Sequence, residues 1–222
     1  MFLELELRSD TIQFMPSDIY IVRHGQTAFN ASGTKTFTGW IDVDISEVGV
    51  QQATKIAESL AQIKFDQAYT SRLKRASNTL EILLKPHSYE VPIIVDDRII
   101  ERSYGDLSGQ LHSDVQAKHP DMYKIWHRSY DVPPPNGESV KMVEMRVYPF
   151  IWELVRNAGD GKNFLLSAHG NSIRCIRAFL ENMTVEQEMS LEVPQDDYLH
   201  YRVTPDVSNL FGGEVEKIHP SK

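Results

Sequence analysis

Two histidines in this chain sit in the same local setting. Ile19, Tyr20, Ile21 and Val22 form an apolar run that stops at Arg23-His24-Gly25, and residues 163–167 form a second run that stops at Ala168-His169-Gly170-Asn171. Short apolar runs of this kind read as buried strands, so each histidine is expected at a strand's carboxyl end. Ligands of open parallel sheets bind beyond those ends, and adjacent strands would bring both imidazoles over one pocket. An arginine fork beside an imidazole suits an anionic group, with Arg23 as donor and His24 as nucleophile or base. Gly25 permits a close approach of backbone to ligand, or a positive φ. A single histidine is more often a structural or surface residue, but two strand–His–Gly endings point to a shared site.

The elements that must position these residues alternate. After the first strand comes a polar loop, residues 26–44, of a length usually reserved for function. Ser46 is a candidate N-cap for a helix with Val50, Ala53, Ile56, Ala57 and Leu60 on one face. Residues 67–70 read as a strand. Ser71 is the expected cap of the next helix, with Leu73, Ala76, Leu80, Leu83 and Leu84 at helical spacing, and residues 91–95 read as a third strand. This β-α-β-α-β order predicts an α/β fold with a mostly parallel sheet. Across residues 97–138 the alternation lapses into short helical pieces near 113–118 and 122–128, ending at Pro133-Pro134-Pro135-Asn136-Gly137, which suggests a lid or insertion. Ser139 then caps a long helix carrying Val140, Val143, Val147, Phe150, Ile151 and Leu154, and Pro149 inside it predicts a kink near Met145. Two last strands are expected near 198–203 and 214–218, joined through Gly212-Gly213.

The bulk composition excludes several classes. The chain has 222 residues, 41% hydrophobic and 24% charged, enough for a proper core and ordinary for a soluble globular protein. A net charge of -8 argues against a general nucleic-acid or anionic-membrane binder, so an anionic ligand must be drawn by a local cluster. Cys175 is the single cysteine, which rules out an internal disulfide and suits a reducing compartment. Residues 1–16 read as an N-terminal extension. Residues 1–7 alternate apolar and acidic, unlike a signal peptide, and no apolar run is long enough to span a membrane, so a cytoplasmic protein is expected. No ligand spacing implies a metal. Without repeats or linkers, residues 1–222 read as one domain.

Arg23-His24-Gly25 with the distant His169-Gly170 resembles the histidine phosphatase superfamily, and within it the 2,3-bisphosphoglycerate-dependent phosphoglycerate mutases. Supporting blocks are Phe37-Thr38-Gly39-Trp40, Ser71-Arg72-Leu73-Lys74-Arg75-Ala76, Glu101-Arg102-Ser103-Tyr104-Gly105, Trp126-His127-Arg128-Ser129-Tyr130, Pro134-Pro135-Asn136-Gly137-Glu138-Ser139 and His169-Gly170-Asn171-Ser172-Ile173-Arg174. The resemblance implies a three-layer α/β/α sandwich of the phosphoglycerate mutase-like kind. It implies His24 as nucleophile, forming phosphohistidine, with Arg23, Arg75 and His169 around the phosphoryl group and Glu101 as general acid and base. Asn30, Thr38, Gly39, Gly170 and Asn171 would meet phosphate or substrate oxygens. Arg102, Tyr104, His112, His127 and Arg128 would hold the far part of the substrate.

A mutase returns the phosphoryl group to another oxygen of the same skeleton, primed by 2,3-bisphosphoglycerate; a phosphatase lets water take it. Both are open, as is the remoter class of a non-catalytic binding module. Two positions depart from the mutase pattern. His112 stands where the family usually has Lys, and His127 where it usually has Arg, so each permanent cation is replaced by a group titrating near 6.5. Substrate affinity is therefore expected to weaken as pH rises through those histidines. The expected partner is a small phosphorylated metabolite, and the chain is expected to be a monomer or homodimer. The family's usual insertion before Gly137-Glu138-Ser139 is missing.

Overall fold

The computed structural model describes residues 15–31, 35–158, 161–205 and 213–219. Residues 1–7 and the Gly212 end of the expected turn lie outside them. The strands are β1 (Ser17–Arg23), β2 (Gln67–Thr70), β3 (Ile93–Val95), β4 (Asn163–Ala168), β5 (Tyr198–Pro205) and β6 (Gly213–His219). They form one six-stranded sheet in the order β3-β2-β4-β1-β5-β6. β3, β2, β4 and β1 run parallel, whereas β5 is antiparallel to β1 and β6 is antiparallel to β5.

The helices are α1 (Glu47–Leu60), α2 (Lys74–Leu84), α3 (His112–Lys118), α4 (Pro120–Arg128), α5 (Val140–Arg156), α6 (Gly170–Leu180) and α7 (Val185–Ser190). Alternate residues of β1 face opposite cores. Tyr20 and Val22 pack with Leu165 against α1 and α2, while Ile19 and Ile21 pack with Phe164 and Leu166 against α5 and α6. Helices on both faces explain why residues 19–22 are apolar at four successive positions rather than at every second one. The expected three-layer sandwich is therefore present. Truncating Ile19 or Ile21 to Ala would remove about 2–5 kcal/mol of stability.

Ser46 and Ser139 cap as expected, their Oγ atoms each accepting a backbone N–H at 3.2 Å, from Gly49 and Met142. Ser71 does not cap α2. The N-cap there is Leu73 without a side-chain bond, and the Ser71 hydroxyl is used elsewhere. α5 runs unbroken through Pro149.

The segment expected as a lid contains α3 and α4 and closes on its own small cluster of Phe37, Leu107 and Val115, flanked by Tyr104, Tyr123 and Trp126. It is tied to the 26–44 loop by the Thr36–Leu111 bridge. Among the described residues no helix is long and apolar enough to cross a membrane.

Candidate active site

β1 and β4 pair directly, with Arg23 opposite Ala168, and the His24 amide donates to the Ala168 carbonyl at 3.0 Å. Both histidines therefore leave the same edge of the sheet, with ring centroids 5.1 Å apart. His24 Nδ1 lies 2.8 Å from the Gly25 carbonyl oxygen. A carbonyl only accepts, so Nδ1 carries the hydrogen and Nε2 keeps the lone pair. Burial, then His169, Arg75 and Arg23, push the His24 pKa well below the usual imidazole value. The ring is thus neutral at physiological pH, the form a nucleophile requires.

Gly25 serves a different purpose from the one expected. A Cβ there would lie 2.5 Å from the Gly49 carbonyl oxygen, so the residue is small to admit the first turn of α1 rather than a ligand.

His169 is fully buried, and its Nε2 sits 2.7 Å from the Ser71 Oγ. That oxygen also accepts from the Leu73 amide, and the assigned tautomer is the one in which the hydroxyl gives its hydrogen to Nε2. Nδ1–H is left as a buried donor without a protein partner. Burial, Arg75 and Arg23 lower the His169 pKa well below its ordinary value, so it serves as a neutral donor and not as a cation.

The guanidinium groups are held by backbone oxygens. Arg75, 1% exposed, donates from Nη1 to Ile41 O at 2.9 Å and from Nη2 to Gly39 O at 2.7 Å. Arg23 Nη1 donates to Val193 O at 2.5 Å. Arg174, one turn into α6, donates to Asn171 Oδ1 at 2.8 Å and Leu191 O at 2.9 Å. The Nε atoms of Arg23 and Arg174 are buried without partners. Unused cationic donors around a neutral imidazole fit the oxygens of a phosphoryl group.

Glu101 is fixed from both ends. Its carbonyl accepts from Trp40 Nε1 at 2.6 Å and Arg146 Nη2 at 3.1 Å, and its Oε1 accepts from the Arg102 amide at 2.8 Å. The amide and Nδ2 of Asn171 also donate to that Oε1, each at 3.1 Å. Burial alone would raise the Glu101 pKa, but the Arg102 amide, Arg75, Asn171 and Arg23 together outweigh it and hold the carboxyl below its usual range. It is a carboxylate in the free enzyme, ready as a base. To act as an acid it needs the negative charge of a bound phosphate. Asn171, expected to donate to phosphate, directs its backbone amide and Nδ2 to Glu101, with Nδ2 shared with the Tyr104 hydroxyl.

Arg23, His24, Arg75, Glu101, Asn171 and Arg174 line a cavity of about 380 Å³ together with Asn30, Thr38, Gly39, Tyr104, His112, His127, Arg128 and Gly170, and His169 lies buried behind this lining. Asn30 Oδ1 accepts from the Thr27 amide at 2.7 Å, and Tyr104 OH accepts from Asn171 Nδ2 at 3.3 Å. Arg128 is at the rim, 3.0 Å from Glu192.

Arg102 departs from expectation. Fully buried outside the lining, it donates from Nε to Glu138 O at 2.6 Å, from Nη1 to His127 O at 3.2 Å and from Nη2 to Trp126 O at 3.0 Å. It straps the end of α4 to the start of α5, behind the cavity wall.

His112 stacks on Phe37 at 3.8 Å and meets His127 edge-on at 4.8 Å. Burial and Lys35 lower the His112 pKa, and burial, His112 and Arg128 push that of His127 down to about 4. The expected titration is therefore displaced below the ordinary imidazole value at both rings, because burial disfavours their charged forms.

Lys35, Arg174, Glu192 and Gln195 also line the cavity, beyond the residues expected there. Gln195 Nε2 donates to the His24 carbonyl at 3.0 Å. Arg174 carries a signal, since it follows Gly170 and Asn171 on the face of a helix that begins at the site. Lys35, Glu192 and Gln195 lie in loops and carry none. Among the described residues no group of three His, Cys, Asp or Glu is placed to hold a metal.

The family model for the histidine phosphatase superfamily (branch 1) matches residues 19–209. A 2,3-bisphosphoglycerate-dependent phosphoglycerate mutase of Rhizobium etli is 39% identical over 197 residues, covering 86% of this chain and 92% of its own. One of Methylobacterium sp. is 38% identical over 195 residues, covering 86% of this chain and 93% of its own. Among solved structures, a mycobacterial glucosyl-3-phosphoglycerate phosphatase superposes with a TM-score of 0.79 at 26% identity, covering 91% of this chain and 97% of its own.

Proposed function

Since this chain belongs to the histidine phosphatase superfamily, we propose that it is a phosphoglycerate mutase, interconverting 3- and 2-phosphoglycerate through a phosphohistidine on His24. The observation that carries this reading is the cationic character of one cavity at two depths. Buried Arg75 and half-buried Arg23 and Arg174 surround the histidines, and exposed Lys35 and Arg128 stand at the rim. A substrate with a phosphate at one end and a carboxylate at the other meets both.

In this reading His24 Nε2 attacks phosphorus in line with the leaving oxygen. Arg23, Arg75 and the His169 Nδ1–H neutralise charge as it spreads over the phosphoryl oxygens. Glu101, fixed by Asn171, gives a proton to the leaving alkoxide and removes one from the hydroxyl that later takes the phosphoryl group back. The residues fit a 2,3-bisphosphoglycerate primer: the orphaned Arg23 and Arg174 Nε donors are suited to one phosphate, and Lys35 and Arg128 to the other. On this reading the enzyme works in the cytoplasm on a small phosphorylated metabolite.

The neutral His112 and His127 favour a second reading, a phosphatase for a small phosphomonoester, because the far end then has fewer charges to retain a carboxylate. Incubation with 3-phosphoglycerate, with and without the bisphosphate, decides between them. Formation of 2-phosphoglycerate without free phosphate is expected. Phosphate release without isomerisation would replace the mutase by the phosphatase.

A further inference from the structure

Beneath the cavity lies a second cluster of ionisable groups that the phosphoryl chemistry does not use. Glu188 on α7 is 1% exposed, and its Oε1 has no hydrogen-bond partner. It faces Glu144 on α5 and Cys175 on α6, with Arg174 nearby. Glu144 is itself engaged, its Oε2 accepting from Tyr130 OH and its Oε1 from Tyr148 OH, both at 2.5 Å. Two carboxyls thus share an interior site, and the nearest cation, Arg174, spends its Nη donors on Asn171 and Leu191.

The chain leaves Glu188 directly for the phosphoryl pocket. The Leu191 amide bonds back to the Glu188 carbonyl at 3.1 Å. Residues 191–195 then wall the cavity. Leu191 O accepts from Arg174, Glu192 pairs with Arg128, Val193 O accepts from Arg23, and Gln195 Nε2 donates to the His24 carbonyl. α7 has only six residues and its buried charged side chain is Glu188, so the seat of Glu188 sets where this strap begins.

We infer that Glu188, docked against Glu144, is a positioning residue for the phosphoryl pocket, acting through the 191–195 strap on Arg23 and Arg174. The docked arrangement needs a proton, because two ionised carboxyls in one apolar interior repel and neither is solvated. Burial and Glu144 raise the Glu188 pKa to about 7, with the Cys175 thiol and Arg174 opposing. A raised acid pKa favours the folded seat at low pH. That contribution is whole below the unfolded carboxylate value and lost as pH rises through about 7. Above it the proton leaves to solvent, α7 loosens, and the strap carries its carbonyls away from Arg23 and Arg174.

The test compares wild type with Glu188→Gln, which is isosteric and always neutral, at about pH 6 and about pH 8. Two readouts are taken: amide-exchange protection of residues 185–195, corrected for intrinsic rates, and the Kd for inorganic phosphate. Neither needs turnover, so the result is separable from the mutase reading. Wild type should lose protection and bind phosphate several-fold more weakly at the higher pH, relative to Glu188→Gln at the same pH. Comparison at equal pH cancels the titration of phosphate itself. Glu144→Gln, which removes the repelling charge and can still accept a tyrosine bond, should also flatten the profile and guards against misfolding of the first variant. Equal pH profiles in wild type and both variants would overturn the inference, as would a pH effect on phosphate binding without one on residues 185–195.

Discussion

Around His24 the guanidinium groups are anchored to backbone oxygens, Arg75 to Gly39 and Ile41, Arg23 to Val193 and Arg174 to Leu191. At the rim, Arg128 has a half-exposed side chain and reaches only the exposed carboxylate of Glu192. Its neighbours His112 and His127 lean on Phe37 and each other. The floor holds fixed charge at fixed positions, which electrostatic stabilisation of a phosphoryl transfer requires. Surface pairs such as Arg128–Glu192 contribute about 0–1 kcal/mol and rearrange easily. On the proposed function, the floor governs whether phosphohistidine forms, and the rim governs what is held next to it.

The sharpest way to break this division is His24→Ala. It should abolish phosphoprotein formation, seen by intact-protein mass spectrometry, and lower turnover by roughly 10⁴-fold or more. A persisting phosphoprotein would move the nucleophile elsewhere. In wild type, because the His24 pKa is depressed, phosphorylation in a single turnover should keep its rate down to about pH 6.

Glu101→Gln should reduce kcat by about 10²–10⁴-fold with little change in phosphate affinity. Its folded pKa is depressed, so the stability it adds is present above the unfolded value and lost as pH falls through the folded one. The variant should accordingly lose part of the acid limb of a urea-denaturation pH series.

Arg102→Lys tests the span between the two regions. Lysine cannot reach the carbonyls of Trp126, His127 and Glu138 together, and the unmet acceptors should lower stability by about 3 kcal/mol. KM should rise more than kcat falls. A fall in kcat alone, with urea stability unchanged, would put Arg102 among the reacting groups.

The smallest effects belong to the rim. His112→Lys with His127→Arg should tighten 3-phosphoglycerate binding by about tenfold. The paired His112→Asn, His127→Asn variant should keep the wild-type pH profile between about 6 and 8, because burial holds both rings below the usual imidazole value. A changed profile would show that bound substrate recharges them.

Much of the fold is legible in the sequence because its signals are local. Ser46 and Ser139 announce their helices, and the unbroken apolar runs 19–22 of β1 and 164–166 of β4 announce helices on both faces. The site is legible where a residue's place derives from its element. His24 and His169 end strands, and Arg75 opens a helix. Ser71 misleads because its hydroxyl is equally suited to a cap or to His169, and only the pairing of β4 beside β2 brings that imidazole within reach. Arg102 misleads because a guanidinium serves three carbonyls as well as one phosphate.

By itself the sequence determined the candidate nucleophile, the strand end that delivers it and the apolar run that buries it, since these depend on neighbours a few residues apart. The tertiary structure alone decided that His24 and His169 are held neutral, where Arg23, Arg75, Arg102 and Arg174 point, and the place of the 191–195 strap. Those depend on burial and on partners from distant elements, and a pKa or a hydrogen bond is a property of the surroundings and not of the residue.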